Sequence, residues 1–132
     1  MTTEDKKLLL KDYGSRIGSN VKLSIENMYG VYGLNLVGDK IITVVHLDSN
    51  KLCYIPIEEV KPFLRPLSSM TEEERKEYQY ITERWMYDTE YSIADSIDWL
   101  NSHHFDYRGL IEKGLALEAP EGMYNEFQRH DL

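Results

Sequence analysis

The sequence predicts one α+β domain, and the succession of three apolar patterns indicates it. Residues 1–20 show helical spacing, residues 21–67 show the alternation of strands, and residues 68–124 return to helical spacing. The chain of 132 residues is long enough to bury a core without disulfide or metal support. We therefore expect an N-terminal helix, a small curved antiparallel sheet of the SH3-like barrel type, and C-terminal helices packed on it. Residues 125–132 are expected to form a loose tail.

The first helix is predicted from its capping residue and its apolar spacing. Thr3 can cap its start, and Glu4 and Asp5 then stand in the first turn, where the helix dipole favours acidic side chains. The apolar residues at helical spacing are Leu9, Leu10, Tyr13 and Ile17. Gly14 and Gly18 are candidate stops. The run "GSRIGS" lacks the ending and the preceding strand of a phosphate-binding loop, so a helix end followed by a turn is favoured.

The sheet is predicted from alternation and from one hairpin signal. "VKLSIE" places Val21, Leu23 and Ile25 on one face. "VYGLNLV" and "KIITVVHL" flank Gly38-Asp39, a dipeptide typical of a two-residue hairpin. If Val37 faces Lys40, the register sets Leu36 opposite Ile41, Leu34 opposite Thr43 and Tyr32 opposite Val45. That face is apolar, and we expect it to be buried.

The next two segments are predicted as a strand and an irregular connection. "LCYIPI" reads as a fourth strand, whose alternation groups Cys53 with Ile55 and Ile57, so a buried and inert thiol is expected. "EEVKPFLRPL" is expected to form a short helical turn and then an extended piece. Its two prolines, Pro62 and Pro66, argue against a central strand.

Three helices are predicted after Ser68, over residues 71–87, 93–102 and 106–113. Thr71 and Glu74 are expected to form a capping box at the start of the first helix. Ser92 and Asp106 are expected to cap the second and third helices, and Gly114 to end the third. Their apolar positions are Tyr78, Ile81 and Trp85 in the first, and Ile93, Ile97 and Leu100 in the second. The last two helices are expected to form an αα-hairpin that buries Trp99, Leu100, Phe105, Leu110 and Ile111.

The net charge of −8 is concentrated in one half of the chain. Residues 68–132 hold six basic and fifteen acidic side chains, a balance of −9, whereas residues 1–67 sum to +1. Duplex DNA is bound by neutralising its phosphates with Lys and Arg. The charge therefore argues against direct binding of duplex DNA, and it deprives the helix-turn-helix outline over residues 93–113 of the basic surface that such a motif needs.

No catalytic, cofactor or metal site is predicted. His103 and His104 point about 100° apart on a helix, so the two rings are poorly placed to share an ion, even with Asp106 nearby. A helix end is favoured there, with His104 packed and His103 in solvent. The chain holds no GxSxG nucleophile motif, and its single cysteine rules out an internal disulfide. No apolar run approaches the length of a membrane span, so a cytoplasmic protein is expected.

Binding is favoured over catalysis because the chain has ten tyrosines, a residue enriched in interfaces. The candidate interaction residues are His103, His104, Asp106, Tyr107, Arg108, Tyr29 and Tyr32. The expected partner is a protein. The acidic half of the chain would attract a basic partner, and a homodimer is compatible with the same features. The alternatives left open are a small-molecule or nucleotide-binding protein with a pocket between sheet and helices and, less favoured, an enzyme.

Two phrases resemble a family of small proteins of anaerobic gut bacteria, their phages and other mobile elements. The phrases are "VKPFLRPLSSMTEEE", Val60–Glu74, and "DWLNSHHFDYRGLIEKGLALEAPEGMY", Asp98–Tyr124. The resemblance implies no activity, cofactor or site residue. It implies a context, that of an accessory or regulatory protein of a mobile element, and this favours a partner-binding role.

Overall fold

The protein combines three α-helices with a seven-stranded sheet in a computed structural model that describes residues 1–38, 40–87 and 93–124, without the side chains of 84–87. The predicted α+β class is confirmed, with its N-terminal helix and its C-terminal helices. The elements are α1 (Thr3–Arg16), β1 (Lys22–Ile25), β2 (Tyr32–Val37), β3 (Ile41–His46), β4 (Leu52–Pro56), β5 (Val60–Pro66), α2 (Glu72–Tyr87), α3 (Ile93–Ser102), β6 (Phe105–Asp106) and β7 (Leu117–Glu118). Short 3₁₀ turns, Ile57–Glu59 and Leu67–Ser69, flank β5.

The sheet is open and mostly antiparallel. Its hydrogen-bonded path runs β4-β3-β2-β1-β5-β6, and β7 also pairs with β5. The β5 pairings with β6 and β7 are parallel, and the others are antiparallel. The expected SH3-like barrel would close this path, whereas in the described part of the chain β4 remains at one end of it.

Helix α1 begins one residue earlier than predicted. Thr2, not Thr3, is the N-cap, because the Thr2 hydroxyl accepts from Asp5 N–H at 3.0 Å while the Asp5 carboxylate accepts from Thr2 N–H. Of the two candidate stops, Gly14 lies inside the helix, and Gly18 follows its end with φ +86°. The buried face of α1 carries Leu9, Asp12, Tyr13 and Arg16.

The predicted register of the β2–β3 hairpin is wrong. Val37 pairs with Ile42 rather than with Lys40, and an irregularity between Leu34 and Leu36 shifts the ladder again. The observed pairs are Tyr32 with His46, Gly33 with Val45, Leu34 with Val44, Leu36 with Thr43 and Val37 with Ile42. Gly38 N–H donates to Ile41 C=O, so the turn is displaced by one residue along the chain. Leu36 still shares a face with Ile41 and Thr43, but the irregularity moves Leu34 and Tyr32 to the face of Ile42 and Val44. That second face is the buried one, so Leu36 and Ile41, which were expected inside, are exposed.

The prediction that prolines exclude a central strand is also wrong, since β5 pairs with β1, β6 and β7. Pro62 lies opposite Leu23. The neighbouring bond, from Glu26 N–H to Glu59 C=O, shows that the odd-numbered residues of β5 face β1. The missing N–H of Pro62 therefore costs no bond to β1. β1 itself behaves as predicted, with Val21, Leu23 and Ile25 all buried.

Two of the three predicted C-terminal helices are present. Thr71 and Glu74 form the predicted capping box at the start of α2, and α3 matches residues 93–102. The predicted helix 106–113 is absent: β6 and a series of turns occupy this region, and Gly109 at φ +71° breaks any helical run. The αα-hairpin and the helix-turn-helix outline are therefore both wrong. Ser92 and the predicted tail 125–132 lie outside the described residues, as does the side chain of Trp85.

The core has two parts. Helix α1 packs against the sheet around Leu9, Tyr13, Leu23, Ile42 and Val44. A smaller cluster joins Trp99 and Leu100 of α3 and Phe105 of β6 to α2. Tyr13 is fully buried, and its hydroxyl donates to Val60 C=O. Within the described ranges, no helix combines the length and apolar character needed to cross a bilayer.

Candidate functional site

The predicted histidine pair ends α3 and has a packing role. His104 adopts φ +66°, is buried, and stacks on Tyr124 with ring centroids 3.7 Å apart. Burial, followed by the nearby charge of Arg16, lowers the pKa of His104 to about 3. His103 is half-buried and stacks on Trp99 at 4.1 Å.

Tyr124 completes the ladder between β1 and β5. Its hydroxyl accepts from Lys22 N–H at 2.8 Å and donates to Phe63 C=O at 2.7 Å. Lys22 and Phe63 would be the next pair after Leu23 and Pro62, so the hydroxyl replaces a direct bond between the strands. Burial raises the pKa of Tyr124 to about 12, although the bond from Lys22 N–H acts in the opposite direction.

Asp106 caps a turn instead of a helix. One carboxylate oxygen accepts from Leu110 N–H and the other from Ile111 N–H, each at 2.9 Å. The carboxylate is thus turned towards its own loop, while the His104 ring faces Tyr124. Among the described residues, no group of three His, Cys, Asp or Glu side chains is arranged to hold a metal ion.

Tyr107 and Arg108 belong to a polar network around a carboxylate that sequence reasoning missed. Asp12 is fully buried, and its two oxygens accept from Arg16 Nε and Arg108 Nη1, each at 2.8 Å. Arg16, also fully buried, donates from Nη2 to Phe105 C=O at 2.7 Å. Arg108 further donates to the Tyr107 hydroxyl. The i,i+4 spacing of Asp12 and Arg16 was the available signal, but it usually marks a surface pair.

A second ion pair fastens β5 to α2. Arg65 donates two hydrogen bonds, of 2.8 and 2.6 Å, to the Glu74 carboxylate, and its guanidinium lies 4.2 Å from the Phe105 ring centroid. Burial would raise the pKa of Glu74, but the bonds from Arg65 and Thr71 outweigh it and lower the pKa to about 2. These contacts identify a structural clasp, because both charges are already paired.

The two predicted tyrosines of the sheet differ sharply in exposure. Tyr32 is buried, and its hydroxyl donates to Tyr29 C=O. Tyr29 has 96% of its surface exposed. Of the seven predicted interaction residues, the structure brings Asp106, Tyr107 and Arg108 together near the end of α1, His103 and His104 to the end of α3, and the two tyrosines to the opposite part of the sheet. Tyr29 alone among them stands free in solvent.

The most distinctive surface of the described chain is the outer face of strands β2 to β4. We define the outer face as Gly33, Leu36, Ile41, Thr43, Val45, Leu47, Leu52, Tyr54 and Pro56. The register places Leu36 beside Thr43, Thr43 beside Tyr54, and Ile41 beside Pro56. The exposed fractions are 62% for Leu36, 50% for Ile41, 46% for Leu47, 45% for Leu52 and 70% for Tyr54. Large apolar residues clustered in this way on an uncovered face mark an interaction surface.

Strand β4 also has one edge with which no other described strand pairs. His46 N–H donates to Lys51 C=O and Ile57 N–H donates to Lys40 C=O, which fixes the odd-numbered residues of this segment as those that face β3. Leu52, Tyr54 and Pro56 therefore direct their backbone groups away from β3, and no described strand pairs with them. Pro56 has no N–H to donate, and proline is tolerated at such positions in edge strands.

The cavities are shallow, and one lies between helix and sheet. This groove, of about 570 Å³, is lined by Leu10 of α1, Ile41 and Pro56 of the sheet, Ile57 of the following 3₁₀ turn, and three lysines, Lys6, Lys7 and Lys40. Lys6 contacts Glu58 at 2.6 Å across it, and this bond lowers the pKa of the Glu58 carboxyl. One of the three lysine charges in the groove is therefore already neutralised.

Comparison with known proteins does not assign this surface. No family model, curated protein or solved structure matches the chain. The case for function therefore depends on the geometry of the chain itself.

Sequence reasoning missed the residues of the outer face because it assigned Ile41, Thr43 and Val45 to the core. A signal was present, since β3 is apolar at successive positions on both faces. In an antiparallel sheet, such a strand is either covered on both faces or leaves one apolar face exposed.

Proposed function

We propose that this chain is a non-enzymatic protein-binding protein whose partner docks on the outer face of β2 to β4. The observation that carries the proposal is the exposure of Leu36, Ile41, Leu47, Leu52 and Tyr54 on one uncovered sheet face. The occupant we expect is an apolar patch on the surface of another protein. The outer face carries no charged side chain, so it suits neither a polyanion nor a strongly charged peptide.

The acidic half of the chain is attached to the other end of the sheet, through the contacts of α3 with β6. A basic flank on the partner would be attracted there, while its apolar patch is held by the outer face. A cytoplasmic location and an accessory role in a mobile element are parts of the same proposal. They are supported by the sequence resemblance and the acidic composition.

The test uses a pair of substitutions on the outer face that leave β4 intact. Partners would be cross-linked to the protein in its native cell, identified, purified and titrated against the wild type. We expect the double variant Leu36→Ser, Leu47→Ser to have a dissociation constant about tenfold or more higher, because it loses two exposed apolar contacts. The matched control, Ile17→Ser with Leu67→Ser, alters residues that are 50% and 46% exposed elsewhere, and it should bind like the wild type.

Equal affinity of the two double variants for the identified partner would overturn the proposal. So would cross-links that map to α2 and never to the outer face. Thermal unfolding of both variants shows whether a loss of affinity reflects a loss of structure.

The groove between α1 and the sheet supports a second candidate, the binding of an amphipathic anion. Its apolar floor and its lysines suit a medium-chain carboxylate, and dodecanoate is a suitable probe. Binding of an anion ranks second because the ammonium group of Lys6 already forms an ion pair with Glu58. Saturable calorimetric binding of dodecanoate that is lost in a Lys7→Gln, Lys40→Gln variant would support it, and an absence of heat would reject it.

A further inference from the structure

We propose that the free edge of β4 pairs, antiparallel, with β4 of a second copy of this chain, about a two-fold axis at Tyr54. The inference goes beyond the proposed function, because it rests first on the backbone donors of the edge and assigns that edge to a second copy of the chain instead of another protein. Three features of the described residues support it: the donors on the edge, the side chains beside it, and the charges at its ends.

The donors on the edge are fully used in this register. Leu52 and Tyr54 each direct an N–H outwards, whereas Pro56 has none. With the axis at Tyr54, each Tyr54 N–H donates to the Tyr54 C=O of the other copy, and each Leu52 N–H donates to the other Pro56 C=O. This register overlaps all five residues of Leu52–Pro56. An axis at Leu52 would instead bring in Asn50, whose φ of +58° is not extended.

The side chains that would meet are apolar on both sides of the sheet. On the outer face, the two Tyr54 rings become cross-strand neighbours, and each Leu52 lies beside the other copy's Pro56. On the inner face, Cys53 lies beside Ile55, and both are only partly buried in one copy. Pairing would cover part of the surface of Tyr54 and Leu52, which are 70% and 45% exposed in a single chain.

The charges at the ends of β4 favour the antiparallel arrangement. Lys51 precedes the strand, and Glu58 and Glu59 follow it. Antiparallel pairing brings Lys51 of each copy towards the acidic end of the other strand, where Glu59 follows the Glu58 that is paired with Lys6. Parallel pairing would bring the two Lys51 side chains together. The −9 of residues 68–132 does not oppose this contact, because α2 and α3 attach at the β5 and β6 end of the sheet path.

The two-fold axis of antiparallel pairing stands perpendicular to the sheet, so both outer faces would lie on the same side. The dimer would thus present one continuous apolar surface that joins the two outer faces. Such a surface suits a partner that is itself two-fold symmetric.

Sedimentation equilibrium over a range of protein concentrations tests the pairing. We expect a dimer for the wild type and about tenfold or more weaker dimerisation for Tyr54→Pro, which removes the outward N–H without touching the bonds to β3. Leu36→Ser, on the outer face but outside β4, should dimerise like the wild type. It therefore separates failure of this inference from failure of the proposed function.

Disulfide trapping tests the register without relying on a proline. In a Cys53→Ser background, Tyr54→Cys should form a disulfide-linked dimer under mild oxidation, because hydrogen-bonded pairs have Cα atoms about 5.5 Å apart. Leu52→Cys should not, since its counterpart lies four residues along the other strand, about 13 Å away.

Three results would overturn the inference. They are a wild-type monomer up to the solubility limit, equal trapping of the Leu52→Cys and Tyr54→Cys variants, and a monomer whose β4 amides gain protection from hydrogen exchange only when a different protein is bound. The last result would assign the edge to that protein.

Discussion

The ring of His104 lies flat on the ring of Tyr124, with centroids 3.7 Å apart and planes inclined by 15°. This contact joins the end of α3 to the last described residues of the chain. The Tyr124 hydroxyl also bridges β1 and β5, so the segment between β7 and Tyr124 takes part in the hydrogen bonding of the sheet. Substitution of either ring should therefore change the free energy of unfolding of the domain.

Removing the Tyr124 hydroxyl should destabilise the fold. Tyr124→Phe keeps the ring on His104 but leaves Lys22 N–H and Phe63 C=O without their bridging group. We expect the free energy of unfolding to fall by about 1–2 kcal/mol, because two backbone groups lose their hydrogen bonds to the hydroxyl in a partly buried site. Urea denaturation measures it. Tyr29→Phe, at a residue 96% exposed, is the control and should be neutral. Equal stability of the two variants would show that the bridge is unimportant.

Acid should destabilise the protein through His104. Burial, then the charge of Arg16, lowers the pKa from the usual 6.5 to about 3 in the folded state. Between pH 6.5 and pH 4.5 the unfolded chain therefore binds a proton that the folded chain does not, and stability falls as pH falls. The limiting slope is about 1.4 kcal/mol per pH unit, or about 2 kcal/mol over this window. The His104→Asn variant should lose this dependence, and asparagine tolerates the positive φ.

The measurement is the free energy of unfolding in urea at several pH values between 7 and 4.5. His103→Asn, which leaves His104 in place, should keep the wild-type slope. A His104→Asn variant with the same slope as the wild type would show that another group causes the acid sensitivity.

Local signals in the sequence predicted the elements that depend on local chemistry. The capping box of Thr71 and Glu74 marked the start of α2, and the alternation in "VKLSIE" marked β1 and its buried face. Both succeed because the deciding contacts lie within a few residues. Asp106 was expected to cap a helix and caps a turn instead, where its carboxylate accepts from Leu110 N–H and Ile111 N–H.

Features that depend on distant contacts were not predictable in this way. The β2–β3 register was misassigned because no local signal in the sequence marks the irregularity between Leu34 and Leu36, and one such irregularity moves the rest of the strand to the other face. Asp12 gave no sign that Arg108, 96 residues away, would bind it. The outer face was missed because its exposure depends on which side of the sheet α1 covers, and that contact joins distant segments of the chain.

The clasp between Arg65 and Glu74 should lose its effect in acid. The Glu74 pKa is lowered from 4.5 to about 2 in the folded state, so its stabilisation is present above pH 4.5 and is lost as pH falls towards 2. Glu74→Gln should be up to about 3 kcal/mol less stable than the wild type at neutral pH. The gap should close near pH 2. Urea denaturation of both proteins at pH 6 and at pH 2.5 measures the difference, and a gap that is independent of pH would contradict the role assigned to the charge.

The buried pair of Asp12 and Arg16 should show strong energetic coupling. Asp12→Ala leaves two guanidinium groups without their carboxylate, one of them fully buried, and should cost about 3–5 kcal/mol. Arg16→Met should be similarly costly, because it leaves the Asp12 carboxylate with Arg108 alone. The double variant should lose less than the sum, by about 1–3 kcal/mol, since no buried carboxylate or Arg16 charge then remains unpaired. The same cycle on Glu4 and Lys7, an exposed pair 3.9 Å apart, should show no measurable coupling. Additive losses at Asp12 and Arg16 would mean that the network is not a unit.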